Sequence, residues 1–204
     1  MANLPPPVAL FPSLQFDVVI IATSAGGLKT LGQLLPQLPT NFAAALIIVM
    51  HLSSDTASLL PGILSRMTSL TVKDAEAGEA IKAGTIYTAP PDYHLLVRSD
   101  RRLHLTQTKK VNYTRPAADA TLTSVAECFG SRAIAVVLTG YGRDGALGVK
   151  AIKQGGGRVI VQDPATATVA SMPQTAIDTC QVDWVLPIDQ ISPALVKLVQ
   201  QDGK

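Results

Sequence analysis

Four stretches of this chain are apolar without alternation, and that constrains its fold more than any other feature. Residues 16–23 (FDVVIIAT), 44–50 (AALIIVM), 133–139 (AIAVVLT) and 158–162 (RVIVQ) are rich in β-branched side chains. A strand with one wet face would alternate; an uninterrupted apolar run fits a parallel strand buried on both faces. Helical patterns lie between these runs. Leu28, Leu31, Leu34, Leu35 and Leu38 recur at helical spacing up to Pro39, and residues 56–67 read as a helix kinked or broken by Pro61. Residues 118–129 and 144–154 are helical, followed by a short helix at 174–180, a strand at 183–186 and a closing helix from about 192 to 201. Repeated alternation of this kind predicts an open, doubly wound, mainly parallel α/β sheet.

The middle of the chain reads differently. Residues 70–76, 85–89, 93–98 and 102–108 are short, half-polar strands parted by Gly, Pro or Asp, with Ser99-Asp100 as a hairpin turn. They predict an antiparallel β addition to the parallel sheet. Residues 1–15 carry four prolines and read as a leader, which leaves 16–204 as one domain. With 47% apolar and 16% charged residues the chain is a folded one. A formal charge of +2 and 4% aromatic content do not favour a nucleic-acid surface. Cys128 and Cys180 form neither a metal spacing nor a disulfide framework, and each reads as a lone buried thiol. No apolar stretch reaches the roughly 18 residues of a membrane span, and no secretory signal opens the chain, so the cytoplasm is expected.

In an open α/β sheet the ligand site lies beyond the carboxyl ends of the strands, where strand order reverses. Ser24 follows the first strand, His51 the second, Tyr141–Asp144 a later one and Asp163 the next. A hydroxyl, an imidazole and two carboxylates thus share one rim. Ser24, in A-T-S-A-G-G, fits either a helix N-cap or a nucleophile backed by the N–H groups of a helix start. His51 fits a strand-end structural residue or a general base, since imidazole titrates near neutrality. Asp144, in L-T-G-Y-G-R-D-G-A, fits a cap or the acid that orients the imidazole, and Asp163 competes by position alone. The glycines of that loop would also let backbone N–H groups approach an oxyanion. A phosphate-binding loop is the weaker reading, because neither G-x-x-x-x-G-K-[ST] nor G-x-G-x-x-G is present.

Taken in order, A-T-S-A-G-G, V-M-H, A-P-P-D-Y-H ending at His94, R-P-A-A-D from Arg115, L-T-G-Y-G-R-D-G-A and S-M-P-Q-T-A-I resemble the catalytic domain of CheB-type protein-glutamate methylesterases, from about residue 17 to 198. The resemblance implies a seven-stranded parallel sheet and a Ser-His-Asp triad at Ser24, His51 and Asp144, with no cofactor. It implies hydrolysis of glutamate methyl esters on chemoreceptor helices with release of methanol, and deamidation of receptor glutamines. It also places Ala25, Tyr141 and Gly142 at the oxyanion site or pocket; His94 fits the cleft or a strand residue with no catalytic part, and Arg115 fits a contact to acidic receptor helices or a structural salt bridge. The 15 residues before the first strand leave no room for the receiver domain usual in the family, which fits a constitutively active domain, control by a separate regulatory protein, or a piece of a longer chain. Ala22 and Ala25 replace the family's usual glycine and threonine, Tyr141 its methionine, and Ser171 a glycine. These departures also fit a non-catalytic signalling or binding module, or a serine hydrolase of another ester.

Overall fold

The structure is a computed structural model that describes residues 16–51 and 59–200. Seven strands form one sheet: β1 (Val18–Thr23), β2 (Ala45–Met50), β3 (Thr71–Asp74), β4 (Thr85–Thr88), β7 (Ala133–Val137), β8 (Arg158–Gln162) and β9 (Trp184–Leu186). Their order is β3-β4-β2-β1-β7-β8-β9, and every neighbouring pair is parallel. The remaining strands, β5 (His94–Val97) and β6 (Leu103–Thr106), make a separate antiparallel hairpin.

The continuous apolar runs are explained by two cores, one on each face. In β1, Val18, Ile20 and Ala22 point into one core, while Val19 and Ile21 point into the other. The first core lies under α3 (Ala118–Phe129), α4 (Ala146–Gln154), α5 (Ser171–Thr179) and the hairpin. The second lies under α1 (Gly27–Leu34), α2 (Leu60–Leu64) and α6 (Ile188–Val199). The hairpin is fixed to α3 by polar contacts: Thr121 Oγ1 donates to Leu95 O at 2.7 Å, and Val97 N donates to Ser124 Oγ at 3.0 Å.

The antiparallel addition is smaller than its sequence suggests. Of the four half-polar strands expected in it, β3 and β4 belong to the main sheet and run parallel, and only β5 and β6 pair antiparallel. The edge strand β3 has one exposed and three half-buried residues, so its pattern resembles that of a hairpin strand. Prolines also misled the helix boundaries. Pro61 and Pro173 lie near the starts of their helices, where a missing N–H removes no intrahelical bond, so α2 begins at Leu60 and α5 at Ser171. Residues 56–58 of the expected second helix and residues 1–15 lie outside the described residues. Cys128 and Cys180 are half-buried rather than buried, and burial raises the pKa of both thiols.

One polar residue inside β8 serves the site. Gln162 is 1% exposed, and its Oε1 accepts the Thr139 N–H at 2.9 Å just past β7. Its Nε2 donates to Thr166 O at 3.2 Å. Gln162→Leu strands the buried Thr139 N–H, and should cost about 1–3 kcal/mol, read as a lower urea midpoint with unchanged m.

Candidate active site

The strand order reverses between β1 and β7, since the chain moves outward from β1 through β2 and later returns to β1's other side. The carboxyl ends of β1, β2 and β7 therefore converge, and each carries one of the expected polar residues. Ser24 follows β1, His51 follows β2, and Asp144 ends the loop after β7.

Each is positioned by backbone contacts between the strand ends. Ser24 N donates to Thr139 O at 3.0 Å and His51 N to Thr23 O at 3.4 Å. The Thr139 hydroxyl donates to Ala25 O and accepts from Val169 N, both at 2.9 Å, clamping the turn after β1 to the loop after β7. Gly140 must be glycine here. A Cβ would collide with Met172 and lie 2.8 Å from Ser24 Cβ.

The three side chains form a relay. His51 Nδ1 lies 3.1 Å from Ser24 Oγ, and His51 Nε2 lies 2.8 Å from Asp144 Oδ2. The ionised carboxylate only accepts, so Nε2 carries the proton and Nδ1 presents its lone pair to the serine. Turning the ring over would put carbons at both contacts, which fixes its orientation. The nitrogens thus serve opposite partners from those in the chymotrypsin arrangement, where Nε2 faces serine.

Neither the serine nor the aspartate caps the helix that follows it. Helix α1 starts after the left-handed Gly26 and α4 after the left-handed Gly145, both without a side-chain cap. Asp144 instead faces the start of α3: Oδ2 accepts from Ala118 N at 2.6 Å and Oδ1 from Asp119 N at 3.1 Å. The side chain is 2% exposed. Burial alone would raise its pKa, but His51 and the two N–H groups at the positive end of α3 outweigh that and hold it below the ordinary carboxylate value. Asp163 is not in the relay. Its Oδ1 accepts from Ala165 N at 2.9 Å and caps a short 3₁₀ turn, Pro164–Thr166.

A cleft of about 510 Å³ opens beside His51 and Asp144, bordered by Lys110, Asn112, Tyr113, Tyr141 and Arg143. Among the expected oxyanion donors, the Gly142 N–H is already bonded to Ser171 Oγ at 3.1 Å. The same hydroxyl donates to Gly142 O at 3.0 Å. The N–H groups of Ala25 and Tyr141 have no acceptor among the described residues. Ala22 is fully buried in β1, so its replacement of glycine alters the core and not the cleft.

Two other expected site residues have different surroundings. His94 is 1% exposed in β5, donates from Nε2 to Lys109 O at 3.1 Å, and does not border the cleft. Arg115 does border it, but its guanidinium is bonded to Asp92 and to the carbonyls of Gln107 and Thr108. Asn112, Asp119 and Thr139 are contributors that the sequence reading did not single out. Asp119 and Thr139 stand inside R-P-A-A-D and L-T-G-Y-G-R-D-G-A, which could have marked them, whereas Asn112 is a single loop residue with no spacing to tie it to Ser24. Among the described residues no three His, Cys, Asp or Glu side chains gather as a metal centre would.

A serine–imidazole–carboxylate relay at the switch point of a parallel α/β sheet is the arrangement of a serine hydrolase. A family model for CheB methylesterase matches residues 19–195, and the chain belongs to that family. It is 37% identical to a putative protein-glutamate methylesterase/protein-glutamine glutaminase of Leptospira interrogans, over 93% of this chain and 98% of that protein. It is 39% identical to the Thermotoga maritima protein-glutamate methylesterase/protein-glutamine glutaminase and 41% identical to the methylesterase FrzG of Myxococcus xanthus. Of those two longer proteins it spans 56% and 59%. The crystal structure of the Thermotoga maritima CheB methylesterase catalytic domain superposes with a TM-score of 0.85 at 38% identity, covering 91% of this chain and all of that one.

Proposed function

We propose that this chain hydrolyses glutamyl methyl esters on chemoreceptor helices through Ser24, His51 and Asp144, with residues 16–204 as the catalytic domain behind residues 1–15. The observation that carries the reading is the relay itself, Ser24 Oγ to His51 to Asp144, within a CheB-family fold. His51 Nδ1 takes the hydroxyl proton as Ser24 Oγ attacks the ester carbonyl. The oxyanion that forms is met by the N–H groups of Ala25 and Tyr141, the loop donors left without acceptors. Collapse of the tetrahedral species expels methoxide, which leaves as methanol with the proton from Nδ1. Water then attacks the glutamyl-enzyme, Nδ1 takes its proton and returns it to Ser24, and glutamate is released. A glutamine amide follows the same path with ammonia as leaving group, consistent with the glutaminase activity named for the relatives. Arg115 is an anchor of the β5–β6 hairpin and His94 a structural residue in this reading. No cofactor enters it.

The setting is the cell interior, with methylated receptor helices as partner. No helix among the described residues is long and apolar enough to cross a membrane. The test is methanol release from a methyl-esterified receptor cytoplasmic fragment. Release by the parent protein is expected, and none at all, from a folded protein with a competent substrate, would sink the proposal.

The cleft rim adds a prediction about substrate. Lys110 and Arg143 border the cleft and have no ion-pair partner among the described residues. They suit a segment carrying carboxylates near the ester. Lys110→Glu/Arg143→Glu should raise KM about tenfold at low salt, with the difference shrinking as salt screens it.

A further inference from the structure

Asp144 is held by four donors, two on each oxygen. Oδ2 accepts from His51 Nε2 and Ala118 N, and Oδ1 from Asp119 N and Asn112 Nδ2, the last at 3.1 Å. Three of these come from a ring or the backbone and are fixed by the fold. Asn112 is the exception, because its side chain reaches Asp144 from a separate turn at the mouth of the cleft.

The same amide nitrogen serves a second carboxylate. Asn112 Nδ2 donates to Asp119 Oδ2 at 2.7 Å, while Asp119 Oδ1 accepts from Gly148 N at 2.8 Å. Asp119 is 5% exposed, and burial, together with the charge of Asp144, raises its pKa. Two buried carboxylates this close repel, and the two hydrogens of one neutral amide, one directed at each, offset that repulsion.

The turn that carries Asn112 is strained to deliver it. Val111 and Thr114 exchange backbone hydrogen bonds at 3.2 and 3.0 Å, and the two residues between them have φ of 50° (Asn112) and 63° (Tyr113). Asparagine tolerates the left-handed region and tyrosine does so at a cost, so the turn is held by its surroundings. Tyr113 is 98% exposed and gains no packing from this geometry. What the turn secures is the inward amide.

We infer that Asn112 is a positioning residue of the triad: by sharing its amide between Asp119 and Asp144, it fixes the carboxylate that orients His51. The inference rests on the proposed role of Asp144. It predicts dependence on hydrogen-bond donation and not on side-chain volume, which separates positioning from filling space. Asn112→Asp keeps the volume and replaces the donor with a third carboxylate. Asn112→Ala removes the donor without adding charge.

The experiment is methanol release from the methyl-esterified receptor fragment by the whole chain, the two Asn112 variants and Ser24→Ala, each below its measured melting transition. Asn112→Ala should lower kcat roughly ten- to hundredfold with KM within about twofold, the scale of one hydrogen bond to a charged group. Asn112→Asp should lose at least as much. An Asn112→Asp protein that retains more activity than Asn112→Ala would overturn the inference, as would near-parent kcat in Asn112→Ala. If Ser24→Ala stayed active, the triad reading itself would fall; loss in Ser24→Ala with full activity in both Asn112 variants would remove only the role of Asn112. A variant melting below the assay temperature is replaced by Asn112→Gly, which accepts the positive φ of the turn and carries no side-chain donor; the same kcat loss is expected, and parent-like kcat overturns the inference.

Discussion

Ser24→Ala is expected to lower kcat for methyl-ester hydrolysis on the order of 10⁶-fold, and His51→Ala by a similar factor. The reason is geometric. Ser24 Oγ is the hydroxyl that meets the free lone pair of His51 at 3.1 Å, and neighbouring Ala25, Gly26 and Gly27 offer no substitute. Without the hydroxyl the imidazole has no proton to take. Without the imidazole the hydroxyl remains a weak nucleophile at neutral pH. The double variant should be little worse than either single one, because the groups act as one unit. Methanol release under saturating substrate measures the loss, and a serine-directed phosphonate probe gives an independent reading: it should label the parent and leave Ser24→Ala unlabelled. A Ser24→Ala protein within about tenfold of the parent would remove serine catalysis from consideration.

Asp144→Asn should lose roughly 10⁴ in kcat, while Asp163→Asn stays near the parent. Both oxygens of Asp144 receive donors, His51 and Ala118 N on one, Asp119 N and Asn112 on the other. An asparagine must therefore turn its NH₂ toward donors whichever way it sits. If the NH₂ faces His51, Nε2 becomes the acceptor and the proton moves to Nδ1, removing the lone pair that activates Ser24. If it faces the other way, it meets the Asp119 N–H and the Asn112 amide, and the local network breaks. Asp163 has a different duty, capping the turn after β8 through Ala165 N. Normal turnover in Asp144→Asn with a dead Asp163→Asn would transfer the role.

Some of this was legible in the chain and some was not. The four continuous apolar runs announced a sheet covered on both sides, and all four are central strands. Strand β3 was misplaced because an edge position leaves a parallel strand half wet, while β4 lies inside the sheet with three of its four residues buried and looked half-polar only through Thr85 and Thr88. Direction depends on partners distant in sequence. Pro61 read as a kink or break inside a helix over 56–67, and Pro173 as lying before a helix over 174–180, yet both stand in the first turn of their helices, which tolerates the proline that the interior does not.

At the site, the chain alone indicates the rim that gathers the polar residues: a hydroxyl, an imidazole and a carboxylate each follow an apolar strand, and parallel strands deliver their carboxyl ends to one edge. It left two readings open at Ser24 and Asp144, cap or catalyst, because both call for the same residue at the same local position. Packing removed the cap reading: α1 and α4 start without a side-chain cap, the Asp144 carboxylate goes to the start of α3, 25 residues away in the chain, and Asp163 goes to its own turn. The orientation of His51 and the shared amide of Asn112 were likewise invisible, since a hydrogen bond between side chains depends on direction at the scale of an ångström. Sequence spacing carries no such information across separate elements; packed backbone does.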